Sequence, residues 1–156
     1  MWGEKILPME PVPVREAFDS PEYIFQVKWD GVRCITHVRK DCVLAHNRKL
    51  MDRTKQYPEL KELSEILQAE QAVFDGEIIV LRERKPSFPL VLRRDLTTDE
   101  TTIRRLARKI PVNYMIFDLL YLDGRDMTVL PLRERLEILR KVINPGGTIW
   151  ITDSFP

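Results

Sequence analysis

Residues 112–122, VNYMIFDLLYL, form a long apolar run closed by Asp123-Gly124, and a run of this kind reads as a strand ending in a turn. Other strand-like stretches surround it. Tyr23–Trp29 and Val32–Val38 flank Asp30-Gly31, a hairpin signal. A short strand is expected over Cys42–His46, after a Lys40-Asp41 turn, and another over Ala72–Leu81, interrupted at its start by Asp75-Gly76. Thr148–Thr152 begins one more.

Helical spacing appears in three places. Tyr57–Glu70 has Leu60, Leu63, Ile66 and Leu67 on one face and Pro58 in the first turn. Asp99–Lys109 reads as a helix capped by Thr98 or Asp99. Pro131–Ile143 carries Leu132, Leu136, Leu139 and Ile143 at helical intervals, and Asn144-Pro145-Gly146-Gly147 ends it. Residues 8–22 are proline-rich and are expected to be an irregular lead-in. Strands outnumber helices and connections are short, so the expected class is α+β with largely antiparallel sheets.

At 156 residues, 44% apolar and 31% charged, the chain suits one domain with a real core and is not disordered as a whole. No apolar run approaches transmembrane length and Met1–Met9 lacks a signal-peptide core, so no membrane partner is expected. Cys34 and Cys42 lack metal spacing and suit a reducing, cytoplasmic setting. With only His37 and His46 to add, the sequence gives no sign of structural zinc. Net charge is +1, yet residues 82–109 hold nine Arg and Lys against four Asp and Glu, a net of +5. Such a segment can contact phosphates, or it can be an ordinary solvated face.

The stretch FQVKWDGVR, residues 25–33, sets a lysine in an apolar, strand-like run. Either Lys28 points to water in a plain hairpin, or it is held where its chemistry is used. A free lysine with pKa ~10.4 is only about 0.1% neutral at pH 7.5, so a nucleophilic lysine has to be made to lose its proton. Nearby positive charge or desolvation beside Trp29 would do this. A strand next to a tight turn would also aim the amine for in-line attack on phosphorus.

In order along the chain, KWDGVR (28–33), FDGEIIV (74–80) and YMIFDLLYLDG (114–124) resemble motifs I, III and IIIa of covalent nucleotidyltransferases. The likeness is greatest to ATP-dependent DNA ligases. Asn47-Arg48, Asp52-Arg53-Thr54 and Tyr57-Pro58-Glu59-Leu60 resemble the family's arginine-containing segment and the helix start after it. The opening from Pro8-Met9 to Lys28 is similar to the start of the ligase domain in bacterial end-joining repair enzymes. The resemblance implies an adenylation domain of the nucleotidyltransferase (ATP-grasp-like) fold, with ATP and Mg²⁺ as cofactors and nicked or broken double-stranded DNA as partner. Lys28 would be the nucleophile that takes AMP. Arg33 and Arg48 would contact ribose or phosphate oxygens, and Glu77 would bind the ribose hydroxyls or support the metal. Phe117 would stack on adenine, although it suits plain core packing too, and Glu77 suits a surface turn. Asp118 fits a solvent-facing or helix-capping role as well as a catalytic one.

This chain departs from the family pattern at two points. Gln26 stands where these ligases commonly have Glu, and its carbonyl can still accept from an adenine amino group. The family's Glu-Gly-x-x-x-Lys and Lys-x-Lys motifs and its OB-fold domain would follow Thr152, so the resemblance implies the N-terminal part of the domain, a truncated one. Such a piece is expected to seal no nicks, to adenylate itself weakly or not at all, and to self-associate through uncovered apolar strand surface. Two alternatives stay open: an RNA ligase or capping-type nucleotidyltransferase, and a non-catalytic DNA-binding or subunit-contact module resting on the basic 82–109 segment.

Overall fold

The structure, a computed structural model, describes residues 2–155. Its centre is an antiparallel sheet of β2 (Val32–Arg39), β3 (Cys42–Asn47), β4 (Gln71–Ile79) and β7 (Asn113–Leu122), in the order β3-β2-β4-β7. The far edge of β7 is shared by β8 (Arg125–Asp126), antiparallel, and β9 (Ile149–Ile151), parallel. Two small ribbons lie outside it: β5 (Leu81–Arg82) with β6 (Lys85–Pro86), and β1 (Phe25–Gln26) with β10 (Ser154–Phe155). The α+β class expected from the sequence is the one observed.

Strand alternation divides the sheet into two faces. Cys34, Val38, Phe74, Ile78, Tyr114, Ile116 and Leu119 bury against the helices α1 (Glu62–Ile66), α2 (Phe88–Leu96) and α4 (Leu132–Val142) through Leu63, Val91, Leu136 and Leu139. α3 (Glu100–Lys109) adds Ile103 and Leu106 to the interior, and Asp99 caps it by accepting from the Thr102 N–H at 2.7 Å. The opposite face has a smaller apolar cluster, Ile35, Val73 and Leu120, covered by Ile6 of the N-terminal strap and Tyr121.

Several expected elements differ. The predicted helix over Tyr57–Glu70 is a 3-10 turn at Pro58–Lys61 followed by the five-residue α1. It stops because Leu67 turns extended and bridges Ile143. Asp75-Gly76 is no interruption: β4 runs straight through it, and β7 accommodates the pair with bulges that leave Phe117 and Leu120 without an opposite residue. Gly76 is required there for space, since a Cβ would lie 2.5 Å from the Tyr114 ring. Asp30-Gly31 closes no hairpin, because β1 pairs with β10. α2, within the basic segment, had no counterpart in the sequence reading.

Candidate active site

Lys28 lies two residues beyond β1, in an irregular connection rather than on a strand, and it is exposed. The expected desolvation beside Trp29 is therefore absent. Trp29 instead turns its indole N–H to Thr152 Oγ1 at 3.0 Å. On the other side of the lysine, the Gln26 side-chain amide donates to Ser154 Oγ at 3.2 Å. Gly31 brings the connection against the end of β4, where an added Cβ would sit 2.2 Å from the Ile78 carbonyl oxygen and 2.9 Å from Ile79 Cγ2. That close approach is why glycine follows Asp30.

From Gly31 the chain enters β2, whose first outward residue after the turn is Arg33. Its guanidinium grips Asp75 with two bonds, Nε to Oδ1 at 2.5 Å and Nη2 to Oδ2 at 2.6 Å. It also lies 4.7 Å from the Phe117 ring centroid, a cation–π distance. The β7 bulge lets neighbouring residues serve two purposes. Phe117 packs on Arg33, while Asp118 makes a bidentate pair with Arg135 of α4 at 2.7 and 2.8 Å. Asp118 is thereby an anchor for α4.

Glu77 stands opposite Arg33 in the β2–β4 register. Burial pushes its carboxyl up to about 7, against the opposing pull of the Arg33 and Lys28 charges and with a further push from Asp75 and Asp30. Burial likewise raises Asp75, opposed by its bond to Arg33. Cys34 pairs with Asn47 across β2 and β3, so Arg48 follows β3 at the register position beside Arg33. Arg48 is exposed and engages Glu10 of the strap through Nε to Oε1 at 2.7 Å and through Nη2 to Oε2. The strap also reaches Arg33, whose Nη2 donates to the Met9 carbonyl at 3.3 Å.

The fold thus lines up Arg48, Arg33 and Glu77 across three strands, with Phe117 on Arg33 and Lys28 within electrostatic reach of Glu77. Gln26 is the sequence-predicted residue turned elsewhere, toward Ser154. Sequence reasoning missed Asp75, the strap and Thr152. Asp75 was readable, since it is two residues before Glu77 on one strand and must share its face. Thr152 was not, because nothing in its local sequence points to residue 29.

A family model described as ATP dependent DNA ligase domain matches residues 10–154. The chain belongs to that family. It is 35% identical to a DNA ligase of Sulfophobococcus zilligii over 90% of this chain and 26% of that protein. Against a DNA ligase of Thermococcus onnurineus the identity is 32%, over 92% of this chain and 27% of that one. Among solved structures, the ligase domain of LigD from M. tuberculosis superposes with a TM-score of 0.64 at 29% identity, covering 85% of this chain and 40% of that one. A mycobacterial DNA ligase D complexed with ATP and MES gives 0.63 at 28%, with the same coverage. The chain therefore spans about a quarter of the length of these two curated relatives.

Proposed function

We propose that this adenylation domain carries out the first step of ATP-dependent DNA ligation, with Lys28 as the nucleophile. Lys28 Nζ, having given its proton to water, attacks the α-phosphorus of ATP. A P–N bond forms, the P–O bond to the β-phosphate breaks, and pyrophosphate leaves with the electron pair, so the lysine holds AMP as a phosphoramidate. The AMP then passes to the 5′-phosphate of a DNA nick, and the 3′-hydroxyl displaces it to seal the strand. The observation that carries the reading is the convergence of Lys28, Arg33, Glu77 and Phe117 at one end of the sheet.

Each residue has a role suited to its setting. Arg33, fixed by Asp75, is a pre-oriented donor for ribose or phosphate oxygens, and Arg48 beside it is a second. Phe117 offers its ring for adenine stacking; Gln26, turned toward Ser154, would have to swing back for its carbonyl to accept from the adenine amino group. Glu77 faces the ribose hydroxyls or a metal. Among the described residues no group of three or more His, Cys, Asp and Glu forms a metal cage. Mg²⁺ nonetheless fits a site built from one carboxylate and substrate phosphates, and Glu77, with its carboxyl pushed up to about 7, is a group that a cation would ionise. The metal would neutralise charge on the departing pyrophosphate.

The exposed basic residues of 82–109 supply a phosphate-contacting surface for nicked or broken DNA in repair, and the remaining ligase domains, including an OB-fold, would close over it. A cytoplasmic setting belongs to the same reading. Its test is the intact mass after incubation with ATP and Mg²⁺, for this chain and for the chain extended to the length of its relatives. The extended chain should gain one AMP and this chain little or none, and Lys28→Ala should abolish whatever is gained. No Lys28-dependent adduct from either form would overturn the proposal.

A further inference from the structure

Among the described residues Lys28 makes no hydrogen bond or ion pair, so its direction must come from its neighbours. One of those neighbours is held by a group far away in sequence. Thr152 is 1% exposed and its backbone N–H donates to the Ile116 carbonyl at 2.7 Å, one residue before the bulge at Phe117. Its hydroxyl receives the Trp29 indole N–H at 3.0 Å. A continuous line of bonds therefore joins the strand carrying Phe117 to the residue after Lys28. The geometry points to Thr152 as a positioning residue for the nucleophile, acting through Trp29.

The inference rests on the reading of Lys28 as the residue that takes AMP. Its physical content is distinct. β1 pairs for two residues only, and the backbone from Val27 to Asp30 belongs to no strand. With the Gln26 bond holding one end, the indole bond to Thr152 is the side-chain contact that holds the other. Without it the Lys28 segment keeps its length and composition but loses its register against β7. Misplacing a reacting group by about 1 Å can cost roughly 100-fold in rate, while substrate affinity set by other residues is untouched.

The test compares Thr152→Val, Trp29→Phe, their double variant and Thr152→Ser in the whole chain, each verified as folded. Two readouts are taken. One is the rate of Lys28 acetylation by acetic anhydride relative to the exposed Lys49, by peptide mass spectrometry; the other is the rate and ATP dependence of AMP addition. We expect Thr152→Val and Trp29→Phe each to change the Lys28-to-Lys49 ratio and to slow AMP addition by about 10- to 100-fold at unchanged half-saturating ATP. The double variant should be no worse than either single, and Thr152→Ser should retain wild-type behaviour. A folded Thr152→Val chain with wild-type labelling ratio and adduct rate overturns the inference. Should the extended wild-type chain form no adduct, the functional reading is what is in question, and the labelling ratio alone decides whether Thr152 positions Lys28.

Discussion

Replacing Gly31 by alanine connects packing to chemistry at one atom. The new Cβ would lie 2.2 Å from the Ile78 carbonyl oxygen, 2.9 Å from Ile79 Cγ2 and 3.0 Å from Glu77 Cγ. Ordinary contact begins at 3.4 Å, so the two backbones must part by about 1 Å. The carbonyl cannot yield, because β4 is bonded on both sides, to β2 and β7. The displacement falls on the Lys28 connection. Overpacking of this kind costs about 1–3 kcal/mol, and losing the Trp29 bond to Thr152 would add about 1 kcal/mol. Urea unfolding should therefore show Gly31→Ala less stable by about 2–4 kcal/mol, and AMP addition should fall by about 100-fold. Gly146→Ala is the matched control, since its Cβ would meet nothing within 4 Å, and its stability should stay within about 0.5 kcal/mol. A Gly31→Ala chain as stable and as reactive as wild type would refute the claim that this glycine exists for close approach.

Three other perturbations test separate parts of the structure. Arg94 is fully buried and donates to Glu59 at 2.6 and 3.0 Å and to the carbonyls of Ile110 and Gln56, so Arg94→Leu, which strands Glu59, should cost about 3–5 kcal/mol in urea unfolding. Glu77 titrates higher when folded than its ordinary 4.5, so the stability it lends is full below about pH 4.5 and lost as pH rises through about 7; wild type should lose ground to Glu77→Gln over that window in paired denaturation curves. His37 goes the opposite way. Burial, with the His46 charge beside it, holds its pKa at about 4, and neutral Nδ1 accepts from the Gly3 N–H at 3.1 Å. Its contribution is full above about pH 6.5 and lost as pH falls through 4, a loss His37→Phe should blunt when the two are unfolded at pH 7 and pH 4.5.

Elements whose signal is local were the ones legible in advance. β7 announces itself by its apolar run, and Asp123-Gly124 ends it with φ of 43° and 87°, as a tight turn requires. α3 and α4 follow from periodicity, with Asp99 capping as expected. The other two Asp-Gly pairs look alike in sequence and do different things. At Gly31 and Gly76 the glycine makes room for the Ile78 carbonyl and the Tyr114 ring, and neither φ is positive. That requirement comes from partners about 40 residues or more away and leaves no local mark. α2 escaped notice because two of its three buried residues are Arg94 and Asp95, residue types that ordinarily signal a solvated face. The residues of the motif likeness, Lys28, Arg33, Glu77 and Phe117, lie in one neighbourhood, but nothing in the motif foretold that Lys28 would be exposed.

The pairing of β1 with β10 has a consequence for the order of folding. Trp29 and Thr152 are 123 residues apart, and Gln26 and Ser154 are 128 apart. The β2–β3 hairpin closes over a two-residue turn, and β4 and β7 can add to it with modest loops. Closing a loop of more than a hundred residues for two hydrogen bonds and a two-residue ribbon is unfavourable until that core exists. The sheet should therefore form first and the Lys28 segment dock last, so a folding chain has a packed body before the connection through Lys28 takes its place. By the same reasoning these bonds should open first in the native state, and amides of residues 24–30 should exchange with solvent well before those of β4.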